Sequence, residues 1–140
     1  MNKSAVNDQL ETAYEAIIKT KIADGSTGEY KVKKAYRGQI ATFGAAIITG
    51  SLKSAIAFFS DEGKASVNRS LIIKAIEYIL EKRKIMKQGQ SLFSYAKSES
   101  PEVKENIINA AIAIKLALNL FNSLSESSYR LNCGSSDSCF

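Results

Sequence analysis

The chain of 140 residues carries 19 basic and 14 acidic side chains, a net charge of +5, and 45% hydrophobic residues. That is enough for one domain to bury a core without help from a metal or disulfides. Histidine is absent, which removes the commonest general base, the usual partner of a Ser or Cys nucleophile and the commonest metal ligand. One proline and eight glycines, set among recurrent Ala, Ile, Leu, Lys and Glu, favour helix over strand. The expected fold class is all-α, a compact bundle of about five to six helices with a largely buried C-terminal helix and no sheet.

The first nine residues are polar and of mixed charge, without the basic start and apolar core of a secretory signal, so a cytoplasmic location is expected. A first helix is predicted over residues 3–23, where Val6, Leu10, Ala13, Ile17 and Ile18 recur at helical spacing. Gly25 and Gly28 with their polar neighbours mark a loop. A second helix is predicted from near Tyr30, with Val32, Tyr36, Ile40, Phe43 and Ile47 inward and Gly50 closing it. Ser51 then reads as the cap of a short third helix carrying Leu52, Ala55, Ile56 and Phe59, which the polar residues 60–63 stop.

A fourth helix over residues 66–84 presents Leu71, Ile72, Ala75, Ile76, Ile79 and Leu80, and residues 91–97 add one or two turns. Ser100, Pro101 and Glu102 are cap, first-turn proline and first-turn carboxylate of a last helix running to residue 124. That helix is apolar nearly all round, as a central helix must be. Its apolar run, residues 107–121, is interrupted by Asn109, Lys115 and Asn119 and is shorter than the roughly 20 residues that span a bilayer. Ile108, Ile112, Lys115 and Leu116 share a sector with the two asparagines. They are either covered by loops of the same domain or form a protein interface. The domain is expected to occupy residues 1–124, followed by a Ser-rich flexible tail, 125–140. Cys133 and Cys139 in that tail read as free thiols or a small disulfide, since their spacing is not that of a zinc site without further ligands.

Charge is uneven along the chain. Residues 1–29 hold three basic and five acidic side chains, residues 30–96 hold twelve and four, and residues 97–140 hold four and five. The excess is concentrated in Lys31, Lys33, Lys34 and Arg37, and in Lys82, Arg83, Lys84 and Lys87. Each cluster alone could be a solvated helix face. Together they suit a protein that lays a face along a polyanion, where ammonium and guanidinium groups displace counterions from phosphates without reading base sequence. Tyr30, Tyr36, Phe93 and Tyr95 could stack on bases, although packing suits most of them better.

Catalytic chemistry is missing from the pattern. Glu11 with Glu15 and Glu77 with Glu81 share helix faces but lack the His partners of di-iron bundles, so they read as surface charges. No phosphate-cradling Gly-rich motif occurs, and residues 49–51 read as a helix boundary. The expectation is a non-enzyme with no catalytic residues, no metal and no cofactor.

The segment Tyr36-Arg37-Gly38-Gln39-Ile40, running on to Thr49-Gly50-Ser51-Leu52-Lys53-Ser54-Ala55-Ile56-Ala57-Phe58-Phe59, resembles the small α-helical subunit of type III-B (Cmr) CRISPR RNA-guided effector complexes. So does the Ala- and Leu-rich residues 110–121 of the last helix. The resemblance spans roughly residues 6–124. It implies a non-catalytic structural subunit that stacks on copies of itself and on other effector subunits along the groove holding guide RNA and target RNA, in antiviral defence. It further implies that Lys33, Lys34, Arg37, Lys82, Arg83, Lys84 and Lys87 contact the RNA phosphate backbone, and that Ile108, Ile112, Lys115 and Leu116 face a protein neighbour. Two other readings stand beside it: a helical protein–protein adaptor without nucleic-acid binding, and a DNA-binding helix-turn-helix regulator.

Overall fold

The computed structural model describes residues 2–25, 28–61 and 68–123. Among them are six α-helices: α1 (Lys3–Lys19), α2 (Ala35–Thr49), α3 (Leu52–Ser60), α4 (Ser70–Lys82), α5 (Leu92–Tyr95) and α6 (Pro101–Leu118). A 3-10 turn, Ala96–Ser98, follows α5. The helical bundle expected from composition and periodicity is the fold observed.

Several helix starts follow directly from capping chemistry. Asn2, Ser51, Ser91 and Ser100 each accept the backbone N–H three residues on, at 3.2, 3.4, 3.1 and 3.2 Å respectively. Each thereby satisfies one of the orphan donors of a first turn. Ahead of α4, whose N-cap Arg69 makes no side-chain cap bond, Asn68 Oδ1 accepts both the N–H and the hydroxyl of Ser70, at 3.0 and 2.6 Å. That fixes the start at Ser70 rather than at residue 66. Gly50 closes α2, donating to the Ala46 carbonyl at 2.9 Å, and a Cβ there would lie 3.0 Å from the same oxygen. The chain turns into α3 through Gly50 and Ser51.

Beyond the start of α4, two helix ends and one start differ from expectation. α1 stops at Lys19, four residues early: the Thr20 hydroxyl donates to the Ala16 carbonyl at 2.7 Å, and Lys21 turns left-handed at φ 65°. α2 begins at Ala35, not near Tyr30, and α6 ends at Leu118, with residue 124 outside the described residues. The released segments pair instead. β1 (Ala23–Asp24), β2 (Lys31–Val32) and β3 (Asn122–Ser123) form a sheet in that order. β1 runs antiparallel to β2 with Ala23 opposite Val32, and β3 runs parallel to β2 with Lys31 opposite Asn122. The expectation of no sheet is thus corrected. Where α1 and α6 end side by side, their exiting backbones need hydrogen-bond partners, and a two-residue ladder supplies them.

α6 packs against α1, α2 and α4, and α3 packs against α2, α4 and α5. The direction of each helix can be read from its cross-contacts. Asn2 donates to Asn109 Oδ1 at 3.0 Å, while Tyr14 stacks on Phe121 with ring centroids 4.6 Å apart, so α1 and α6 run parallel. Arg37, at the start of α2, reaches the end of α6, and Tyr78 and Arg83 of α4 meet Glu15 and Asp8 of α1. α2 and α4 therefore run the opposite way. The buried side chains form one continuous core, in which Phe43 and Phe59 meet edge to face at 5.1 Å.

Candidate nucleic-acid interface

The antiparallel arrangement puts the two basic clusters at opposite ends of the bundle. α4 joins the two ends, and its 13 residues rise about 20 Å at 1.5 Å per residue. At one end Lys82, Arg83, Lys84 and Lys87 are all exposed. They sit on and just beyond the last turn of α4, which ends in a two-bond clasp: Lys84 N–H to Glu81 C=O at 3.0 Å and Ile85 N–H to Leu80 C=O at 2.9 Å. This clasp needs a left-handed residue between the helix and the clasping N–H, a place usually taken by glycine. Here Lys84 takes it, at φ 62°, a conformation that costs a side-chain-bearing residue about 1 kcal/mol.

Two carboxylates hold the loop that follows. Glu81 accepts Gly89 N–H at 2.9 Å and Glu77 accepts Leu92 N–H at 2.7 Å, while Gln90 accepts Lys87 N–H at 3.2 Å. Met86 is buried beneath them. Glu77 and Glu81 are therefore not the plain surface charges expected from the sequence. Burial pushes the Glu77 carboxyl above the usual carboxylate range, against the opposing Leu92 N–H. Lys82 lies over the Tyr78 ring at 5.7 Å, and Arg83 reaches the Asp8 carbonyl at 3.4 Å. The result is a basic surface on a fixed backbone.

At the other end, Lys33 and Lys34 are exposed just before α2. Arg37 is placed differently. It is half-buried, and its Nη2 donates to the carbonyls of Leu118 and Phe121 at 3.1 and 2.9 Å. Leu118 is the last residue of α6, where its carbonyl also accepts the Phe121 N–H at 3.1 Å, and Phe121 lies three residues beyond, so the guanidinium ties the helix end to the chain that follows and offsets its negative pole. Tyr36 is buried, whereas Tyr30 and Phe93 are exposed.

Three of the four residues expected at a protein interface come together. Ile108, Ile112 and Lys115 line a groove between α2 and α6 whose other wall is Ala41, Gly44, Ala45 and Ile48. Leu116 is exposed one residue further along α6. Ile48, 66% exposed on the groove wall, adds to the apolar surface beyond what was singled out from the sequence. Asn109 is not on this surface: it is buried, and its Oδ1 receives the Asn2 N–H.

Among the described residues no group of three or more acidic, Cys or His side chains could hold a metal ion, and no helix is long and apolar enough to cross a membrane. Cys133, Cys139 and the proposed tail lie outside the described residues. Phe58, 59% exposed on α3 with the Arg69 guanidinium 4.4 Å from its ring, went unnoticed in the sequence, where it reads as one half of an apolar Phe-Phe pair. Comparison of the chain with family models, curated proteins and solved structures finds no match.

Proposed function

We propose that this chain is a non-catalytic, RNA-contacting structural subunit of a larger cytoplasmic assembly. The resemblance noted above makes that assembly a type III-B (Cmr) CRISPR effector in antiviral defence, with the subunit stacked along the guide RNA and target RNA. The observation that carries the reading is the fixed basic end of α4. Lys82, Lys84 and Lys87 are exposed there, on a backbone held by Glu77 and Glu81, and Lys84 occupies a strained position that glycine would fill at less cost. Rigid positive charge suits phosphate contacts that position a subunit without reading sequence. Lys33 and Lys34 offer a second, separate contact, about 20 Å away along α4. In this reading Arg37 acts through the fold rather than on the RNA.

The test is RNA binding by the full chain as a function of salt. Wild type is expected to lose affinity linearly in log[salt], and Lys84→Gln/Lys87→Gln to flatten that slope by about two phosphate contacts. A slope the double variant leaves unchanged would reject the assignment. A second reading, a protein–protein adaptor, is favoured by the α2/α6 groove. Co-purification of the tagged chain with proteins but no RNA would support it instead.

A further inference from the structure

α3 has an outer face of small and polar residues, Ser54, Ala57 and Ser60, with one large apolar side chain standing on it, Phe58. Burial does not explain that ring, which is 59% exposed while its neighbour Phe59 is buried. It is nonetheless fixed in place. Phe59 packs against it with ring centroids 5.5 Å apart and planes 65° from parallel, and the Arg69 guanidinium lies 4.4 Å from its centroid. Arg69 is in turn held by Asp61 at 3.5 Å, with its side chain only 16% exposed. The ring is therefore a rigid aromatic surface backed by a mostly buried cation. The cation is itself paired, so the assembly offers a flat π face with little net charge.

We propose that Phe58, propped by Arg69, is a nucleobase-stacking site for single-stranded RNA, a proposal that rests on the RNA-contacting reading above. Flat aromatic rings stack on any base, and Arg next to an aromatic strengthens such a platform. The site belongs to the same end of the bundle as Lys33 and Lys34: the Tyr36 N–H bonds the Lys33 carbonyl at 3.1 Å, and the Tyr36 hydroxyl accepts the N–H of Asn68, the residue before Arg69, at 3.3 Å. Lysines would hold the phosphates while the ring receives a base, the division of labour found in single-strand binding grooves. A protein partner fits less well. A hot-spot aromatic is normally ringed by contacts that exclude water. The surroundings of Phe58 are small and polar, Ser54, Ala57 and Ser60, unlike the apolar α2/α6 groove.

The test is titration of the full chain with an oligoadenylate and with its abasic counterpart, reading the Phe58 ring protons by NMR and affinity by anisotropy. The base-bearing strand is expected to shift those protons upfield and the abasic strand to leave them in place. Phe58→Leu should weaken binding of the base-bearing strand about tenfold without changing its salt dependence, and Phe58→Trp should restore it. Binding that Phe58→Leu leaves unchanged overturns the stacking site alone, and the assignment passes to a protein interface if that variant loses protein partners in co-purification. Failure of wild type to bind either strand at low salt overturns both the stacking site and the RNA-contacting reading.

Discussion

The two basic clusters look alike along the chain and serve unlike purposes in the fold. At the end of α4 the charged groups point outward, and the neighbouring backbone is tied down by Glu77 and Glu81. At the start of α2 the one guanidinium turns inward and closes α6, leaving Lys33 and Lys34 outside. The difference lies in what each cluster finds nearby. Helix α4 ends beside carboxylates of its own last turns that can hold its exit loop, whereas α2 starts beside the carbonyls at and just beyond the end of α6. Counting positive residues therefore overstates the surface available to a polyanion, and a half-buried Arg in such a run is the first to be suspected of a structural role.

The sharpest way to break the comparison is Arg37→Met, which keeps the aliphatic stem and removes the bonds to Leu118 and Phe121. It should cost about 2–3 kcal/mol in urea unfolding, because two carbonyls lose a charged donor. A loss below 0.5 kcal/mol, the usual range for a surface change, would return Arg37 to the outward-facing group.

Next in size is Glu77. Glu77→Ala should cost about 1–2 kcal/mol by stranding the Leu92 N–H, whereas Glu77→Gln keeps an acceptor and drops the charge. Because burial raises the Glu77 carboxyl above 4.5, the folded chain holds that proton more tightly than the unfolded chain. Its stabilising contribution is full below 4.5 and is lost as pH rises through the raised value. Glu77→Gln should therefore gain stability relative to wild type as pH rises from 4.5 through the raised value. Parallel stability curves for the two proteins would contradict this.

Smaller still, Lys84→Gly should stabilise the chain by up to about 0.5 kcal/mol, the cost of the left-handed lysine less glycine's extra chain entropy. It should also remove about one phosphate contact from the salt slope of RNA binding. Stability and binding would then move in opposite directions, as they do where strain is kept for a purpose. Smallest in stability is Lys33→Gln/Lys34→Gln, which should leave urea midpoints within about 0.5 kcal/mol of wild type while lowering the slope by up to about two contacts. Thus the same cluster would hold one residue that moves stability and two that move only binding.

How much was legible varied by feature. Ser51 and Ser100 as caps, Gly50 as a stop and the inward stripe Leu52, Ala55, Ile56 and Phe59 could all be read from residue type and spacing, and the structure places each of them so. Local chemistry suffices for such features. The groove residues Ile108 and Ile112 were legible as apolar positions in a polar sector beside Lys115, but their opposite wall on α2 was not. The sheet escaped because strands of two residues carry no alternation to detect.

The sequence by itself determined the helical class, most caps and inward faces, and the basic middle, because these depend on propensity, periodicity and composition within a few turns. Only the tertiary structure decided that the two basic clusters stand at opposite ends, that Arg37 closes α6, that Asn109 is buried against Asn2 and that Phe58 stands exposed on Arg69. Each of those outcomes joins residues far apart in the chain or depends on which neighbour arrives. A side chain's role is then set by the partner that packing brings to it, and the spacing of residues along one helix does not specify that partner.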